Sequence, residues 1–370
     1  MIRVAVHVDQ LFSPAPGGIG TYIRELVPRL GPEADVRLFH SRFDREPPEA
    51  WMAALPRTEL PRSPRLLYPG WNTLGRPALP EVLHRADVVH APLPAAIPPA
   101  SPGQKLVVTV HDLAFRVVPR AFPARWLLLY RLGARRAVTR ADAIIVPSES
   151  TKRDLVRLQR ADAERVHVIP LAAALPQAQT DPDERLGRLK VPHPYVLFVG
   201  TLEPRKNLVR LVRAYRRAVA HGGFPHALVL VGPLGWQTDA LLREIRAPGP
   251  GEVVLTGGAS PEQLDALYRG ADLFAYPSLY EGFGLPVLEA MARGVPSIVS
   301  ASSSLPEVAG DAAHLVNAGS VHGIASAIER LLSDTAEAER LAKAGLARAE
   351  EFSWDRTAEQ TLAVYRGLLA

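Results

Sequence analysis

Seven residues separate Glu281 from Glu289 in the run Tyr280-Glu281-Gly282-Phe283-Gly284-Leu285-Pro286-Val287-Leu288-Glu289. The order of residue types around them predicts a strand at Asp272–Tyr276, a break at Pro277-Ser278, a glycine-rich turn, and a helix from Pro286 to near Gly294. Proline suits a first helical turn because the N–H it lacks would be unpaired there. The N–H groups of such a turn, together with the helix dipole, favour an anion. Gly282 and Gly284 allow a ligand close to the backbone. A carboxylate beside a phosphate site accepts sugar hydroxyls, because its two oxygens can take two O–H donors. Glu281 at the mouth and Glu289 one turn into the helix would therefore read a nucleotide and a sugar together. The plainer reading is a capped helix with Glu289 in solvent.

Three other segments carry chemistry. Gly200-Thr201-Leu202-Glu203-Pro204-Arg205-Lys206-Asn207 leaves a predicted strand and enters a helix. A phosphate-binding turn belongs at such a place, and Arg205 and Lys206 supply two adjacent cations. The chain has lysine only at 105, 152, 190, 206 and 343, so this one does not belong to a basic run. The alternative is a solvated helix start, although cations there oppose the dipole. Ala15-Pro16-Gly17-Gly18-Ile19-Gly20-Thr21-Tyr22 follows the first strand. It is a poor dinucleotide motif, lacking the third glycine, and reads either as a ligand-facing Gly-Gly loop or as a tight turn. Thr109-Val110-His111-Asp112 ends another strand. There His111 could donate to a sugar hydroxyl, bind an acceptor or be structural, and Asp112 could orient the imidazole or cap the next turn. His90, at a further strand end, reads as structural.

The elements that must position these residues alternate strand and helix twice over, which predicts two doubly wound parallel sheets, an α/β fold. Strands are expected at Arg3–Val8, Val36–Phe39, Val88–His90, Leu106–Val110, Ala143–Val146 and Val166–Ile169, with helices at Gly20–Leu30, Ala124–Val138 and Thr151–Gln159. Arg45–Leu83, rich in Pro and Arg, is expected to be irregular with short helical pieces. The second half offers strands at Tyr195–Val199, Ala227–Val231, Val253–Leu255, Asp272–Tyr276, Ser297–Val299 and Ala313–Leu315. Its helices are expected at Asn207–Ala220, Thr238–Ile245, Pro261–Arg269 and Pro286–Ala292, then Val321–Ser333, Glu337–Glu350 and Trp354–Leu369. The expected domains are residues 1–175 and 191–352, joined by a linker at 176–190, with 353–370 as a terminal helix.

Composition narrows the class. The chain has 370 residues, 47% hydrophobic and 22% charged, as in globular proteins of two domains. No run of apolar residues predicts a membrane span, and the first residues predict a buried strand rather than a signal peptide. With no cysteine, thiol chemistry and zinc–thiolate sites are excluded. The net charge of +5 suits phosphate-bearing ligands or an anionic membrane surface. Nucleic acid is not expected, since no binding motif or basic tail is present. The only Asp-x-Asp, Asp181-Pro182-Asp183, falls in the linker, and no histidine spacing fits a metal, so no metal or other cofactor is expected. The mixed apolar and basic helix after Phe122 fits either packing on the sheet, the preferred reading, or a membrane interface. The expected location is cytoplasmic, with peripheral contact at the inner face of the membrane as the second reading.

The run E-G-F-G-L-P-x-L-E-A-M-A-x-G-x-P resembles the glutamate–seven–glutamate signature of the retaining glycosyltransferases of family four, which have the GT-B fold. The resemblance implies two Rossmann-like domains facing each other across a cleft, with the terminal helix crossing back to the first. It assigns Glu281 to the transferred sugar, Glu289 to the ribose, and the backbone N–H groups of Phe283, Gly284 and Leu285 to sugar and diphosphate. Arg205 and Lys206 would bind the diphosphate, Gly17 and Gly18 would lie beside donor or acceptor, and His111 would lie near the donor sugar. Many relatives carry an arginine where this chain has Thr201. The function implied is metal-independent transfer of a hexose, mannose or glucose in type, from a GDP- or UDP-linked donor to a carbohydrate or glycolipid acceptor. A sugar-nucleotide epimerase or phosphorylase on the same fold, or a non-catalytic sugar-nucleotide-binding subunit, are the alternatives.

Overall fold

A computed structural model describes residues 1–44, 49–174 and 191–370. The expected linker at 176–190 and its Asp181-Pro182-Asp183 turn lie outside the described residues, as do residues 45–48. The chain divides into two compact units. The first holds Met1–Pro119, Pro123–Leu171 and Ser353–Ala370, and the second holds Arg120–Phe122 and Ala172–Phe352.

In the first unit seven strands run parallel: β1 (Ile2–His7), β2 (Ala34–His40), β3 (Arg57–Glu59), β4 (Val88–Ala91), β5 (Lys105–Thr109), β6 (Ala143–Val146) and β7 (Val166–Val168). Their order is β3-β2-β1-β4-β5-β6-β7, so the winding reverses between β1 and β4. β4 and β6 are short runs, apolar apart from His90, that are buried along their whole length, as a parallel sheet covered on both faces requires. Sequence reading missed β3. It is a three-residue edge strand of Arg57, Thr58 and Glu59, and polar edge residues carry no apolar signature.

Two helices of this unit differ from expectation. The first spans Gly17–Leu30 rather than starting at Gly20, so Gly17 and Gly18 form its opening turn instead of a loop. Gly17 takes φ +58°, which only glycine adopts cheaply, and the Gln10 side-chain amide donates to the Pro16 carbonyl at 2.9 Å just before it. The other, Ala124–Arg140, packs as expected only in its second half, where Gly133, Ala134, Ala137 and Val138 are buried. In its first half Leu128 is 63% exposed and Trp126 37%.

The terminal helix Trp354–Leu369 belongs to the first unit. It packs along Gly17–Leu30, and Thr357 donates its hydroxyl to the Pro170 carbonyl at 2.7 Å. Beneath it runs a buried polar chain. The Tyr365 hydroxyl lies 2.6 Å from His90 Nδ1, His90 Nε2 lies 2.8 Å from the Thr109 hydroxyl, and that hydroxyl lies 3.1 Å from the Tyr22 hydroxyl.

The second unit has six parallel strands: β8 (Tyr195–Val199), β9 (Ala227–Val231), β10 (Val253–Gly257), β11 (Leu273–Tyr276), β12 (Ser297–Ser300) and β13 (His314–Val316). Their order is β10-β9-β8-β11-β12-β13, with the reversal between β8 and β11. Helices at Leu208–Gly222, Asp239–Arg246, Pro261–Arg269, Leu285–Met291, Leu305–Ala309, Val321–Ser333 and Thr335–Glu350 cover the sheet. Leu305–Ala309 is another element that sequence reading passed over, at five residues too short to show a period.

Candidate active site

In doubly wound sheets ligands bind beyond the carboxyl ends of the strands, where the winding reverses. In the second unit that point lies between β8 and β11, and the segments following those two strands are Gly200–Asn207 and Pro277–Gly284. The fold therefore brings the two predicted cations and the first predicted glutamate to one place. Backbone ties the loops together, since Leu279 N–H donates to the Arg205 carbonyl at 2.9 Å. Asn207 adds a second tie: its amide donates to the carbonyls of Pro277 at 2.9 Å and Ala318 at 2.7 Å. It holds φ +63°, a left-handed conformation that asparagine tolerates better than most residues.

The turn after β12 props the loop from the other side. Ser300 donates its hydroxyl to the Ser278 carbonyl at 2.6 Å, and Ser303 accepts from Glu281 N–H at 2.8 Å. Ser304 donates to the carbonyls of Glu281 at 3.0 Å and Phe283 at 2.8 Å. The serine cluster Ser300, Ser302, Ser303 and Ser304 was a visible signal after a predicted strand, but nothing local says which loop it supports.

The charged centre is enclosed. Lys206 Nζ donates to Glu281 Oε1 at 2.7 Å and to the Tyr276 hydroxyl at 2.6 Å. Arg205 Nη1 donates to Glu281 Oε2 at 2.5 Å and to the Tyr280 carbonyl at 2.9 Å. Its Nε and Nη2 reach Glu203 Oε1 at 2.9 and 2.6 Å. Glu281 and Lys206 are each 7% exposed, so neither a mouth position for the glutamate nor a solvated helix start for the lysine describes the site. Burial alone would raise the Glu281 carboxyl, but the Arg205 and Lys206 charges, with the hydrogen bond from Lys206, outweigh it and bring it to about 2. Burial, then the Arg205 charge, lowers Lys206 against the pull of Glu281 and Glu203. Glu203 is raised by burial, which Arg205 and Lys206 only partly offset.

Glu203 is a site residue that the sequence reading quoted without assigning it. Its carboxylate changes the electrostatics, because two cations facing two carboxylates leave the cluster near neutral rather than doubly positive. Any anion approaching this cluster must therefore displace carboxylate contacts to reach Arg205 and Lys206.

Gly284 caps the next helix, which begins at Leu285, one residue before the expected Pro286, and ends at Met291. Its φ is +119°, and a Cβ placed there would come 2.7 Å from Leu305 Cδ2. Gly284→Ala combines backbone strain with a clash, so thermal or urea unfolding is expected to show a loss of about 1–3 kcal/mol. A melting curve unchanged from the parent would mean the loop adopts another conformation. Phe283 is buried with its ring edge-on to Phe352 at 5.8 Å.

Glu289 is half-buried rather than solvated, and the Tyr268 hydroxyl donates to its Oε2 at 2.8 Å. Burial raises its carboxyl, with Tyr268 and Arg293 opposing.

In the first unit His111 follows β5, as predicted, and Nε2 lies 3.0 Å from the Pro92 carbonyl. A carbonyl only accepts, so Nε2 carries the proton and Nδ1 is left with a lone pair. The neutral ring can therefore accept from a hydroxyl through Nδ1, not donate to one as expected. Burial pushes this imidazole down to about 4, against the Pro92 bond and Asp112, so it is neutral at pH 7. Asp112 caps the next turn, accepting from Ala114 N–H at 2.9 Å. His90 lies within the buried chain under the terminal helix, and burial, then the His111 charge, lowers it to about 3. Among the described residues no group of three or more His, Cys, Asp or Glu is arranged to hold a metal ion.

Comparison with known proteins identifies the family. The family described as "Glycosyl transferases group 1" matches residues 183–348, and "Glycosyltransferase Family 4" matches 16–175. The O-antigen chain mannosyltransferase B of Escherichia coli is 33% identical over 71% of this chain and 70% of its own length. The serotype-specific mannosyltransferase WbdA of the same species is 31% identical over 74% of this chain, which spans only 35% of that longer protein. Among solved structures, sucrose-phosphate synthase from Thermosynechococcus elongatus superposes with TM-score 0.76 at 22% identity over 100% of this chain and 99% of that one. The sheet orders, the cluster beyond β8 and β11 and these matches lead to one assignment: the chain has the GT-B fold and belongs to glycosyltransferase family four.

Proposed function

We propose that this glycosyltransferase moves a hexose, of mannose type, from a nucleotide diphosphate donor to a carbohydrate or glycolipid acceptor, without metal and with retention of configuration. The observation that carries the reading is the buried Arg205–Glu281–Lys206 cluster where the winding reverses between β8 and β11. Cleavage of the sugar–phosphate bond puts negative charge on the departing diphosphate and oxocarbenium character on the sugar. In this reading Arg205 and Lys206 are the positive groups that take that leaving-group charge. As they turn to the diphosphate they release Glu281, whose carboxylate then accepts hydroxyls of the transferred sugar. Glu289, one helical turn further on, takes the ribose hydroxyls. The names of the matched mannosyltransferases favour mannose, and retention rests on family membership. By the same resemblance, Gly17 and Gly18 lie beside the donor or acceptor, and His111 accepts from a hydroxyl of the sugar.

The test is a panel of GDP-, UDP-, ADP- and dTDP-sugars with the purified protein in excess chelator. The cognate donor is expected to raise the melting temperature, because a ligand that binds only the folded state stabilises it, and to be hydrolysed slowly when no acceptor is added. Glu289→Ala is expected to lose about 1.5–3 kcal/mol of nucleotide affinity in titration calorimetry, roughly ten- to a hundredfold. Tight binding without turnover under any condition would make the protein a sugar-nucleotide-binding subunit. Activity abolished by chelator and restored by magnesium or manganese would assign the leaving group to a metal.

A further inference from the structure

Charge in this chain is unevenly distributed. Residues 60–80 and 113–141 together contain ten arginines and not one Asp or Glu. Removing them from the totals of 43 Lys and Arg and 38 Asp and Glu leaves 33 basic and 38 acidic residues, so the rest of the chain has a net charge of −5. The whole positive excess therefore sits in two segments that, apart from Arg120–Phe122, belong to the first unit.

The fold puts these segments side by side. Helix Pro64–Thr73 packs against helix Ala124–Arg140, and the Arg136 guanidinium lies against Gly75, just past the end of the former. The outward stripe of the longer helix is Leu128, Arg131 and Arg135, at the i, i+3, i+7 spacing of one helical face, and all three are exposed. On the neighbouring segment Leu66 is 63% and Leu74 78% exposed, and Arg62, Arg65 and Arg76 are exposed as well. Large exposed leucines and arginines on two adjoining segments that contain no carboxylate are a poor surface for water alone and a good one for a layer that is anionic outside and apolar beneath.

We propose that this face, built on Leu66, Leu74, Leu128, Arg131 and Arg135, docks the first unit on an anionic lipid bilayer. The leucines enter the headgroup boundary while the arginines pair with lipid phosphates. Arginine suits that role because its side chain lays an apolar stem along the leucines and keeps a planar, permanently charged head for phosphate. Among the described residues no helix is long and apolar enough to cross a membrane, so this contact is peripheral and salt-sensitive. The docking stands on charge and exposure and does not depend on which sugar is transferred or to what.

Flotation with vesicles of phosphatidylcholine alone, and with about a third phosphatidylglycerol, tests it. Binding is expected only to the anionic vesicles and to weaken steeply as salt rises. Each arginine near such a surface contributes roughly fivefold in partitioning, so the charge reversal Arg131→Glu with Arg135→Glu is expected to lower binding by 100-fold or more. Leu74→Ser with Leu128→Ser is expected to lower it at every salt concentration. Both pairs are exposed, and unchanged melting would show that the fold survives. The control Arg243→Glu with Arg246→Glu makes the same charge change on exposed residues of the second unit and is expected to leave vesicle binding within a fewfold. Three results would each overturn the proposal: no flotation with anionic vesicles at low salt, loss in the control equal to that in the Arg131 and Arg135 variant, or heparin and duplex DNA binding more tightly than the vesicles through these arginines.

Discussion

Lys206→Ala is expected to cut turnover by about 10²–10³-fold, the scale of losing one preorganised donor to a developing anion, and Arg205→Ala by a similar factor. Both residues are the leaving-group cations of the proposed reaction, and both hold Glu281. Their removal carries a second cost. A buried carboxylate that loses one partner is left undercompensated, and such losses run to about 3–5 kcal/mol of stability. Weak activity in a poorly folded variant would say nothing about chemistry, so the informative comparison is Lys206→Met combined with Glu281→Gln. That pair removes opposite charges together and should regain much of the melting temperature while turnover stays low. Donor hydrolysis and thermal melting on the same preparations separate the two effects. Turnover within threefold of the parent in Lys206→Ala, measured in chelator, would end the proposed role.

Acidification from pH 7.5 to 5 is expected to weaken the first unit by about 4 kcal/mol, before the carboxylate cluster of the second unit is affected. His90 and His111 are held by burial at about 3 and about 4 in the folded state, below the ordinary 6.5 of the unfolded chain. The unfolded state therefore binds more protons, and stability that is complete above 6.5 is lost as the pH falls toward those folded values. Glu281 acts lower. Its carboxyl is depressed to about 2 from 4.5, so its contribution is intact above 4.5 and disappears only below. Glu203 and Glu289 are raised by burial and oppose any loss in the second unit as the pH approaches 4.5. His226, also lowered by burial, works the other way there. The net loss falls mainly on the first unit. Hydrogen exchange followed by mass spectrometry at pH 7.5, 6 and 5 would locate it, and equal protection of β4 and β5 at all three values would contradict it.

Much of the architecture was legible because parallel strands buried on both faces, such as Ala143–Val146 and Tyr195–Val199, are unmistakable apolar runs. The Gly284-Leu285-Pro286 helix start was equally clear, since proline and glycine act through their own backbones. Short polar elements were hidden: Arg57–Glu59 is a strand only because β2 lies beside it. The pairing in the site was hidden for a different reason. Lys206 and Glu281 are 75 residues apart, and their contact exists because β8 and β11 are neighbours at the reversal of the sheet. From sequence the two groups looked like separate binders of phosphate and sugar, and Glu203 like a bystander. His111 stood at the predicted strand end, but its tautomer depends on the Pro92 carbonyl, which β4 delivers from another part of the chain.

The place of helix Trp354–Leu369 bears on how the molecule comes into being. A ribosome releases residues in order, and domains generally fold as they emerge, the first one first. Here the first unit lacks its last helix until the whole of Ala172–Phe352 has been made. Until Tyr365 arrives, His90 lacks its phenol partner and Gly17–Leu30 lacks the helix that covers it. The second unit is nearly continuous in the chain and can close its core earlier. The order of completion is therefore the reverse of the order of synthesis, and the nascent first unit is the one that needs protection while it waits.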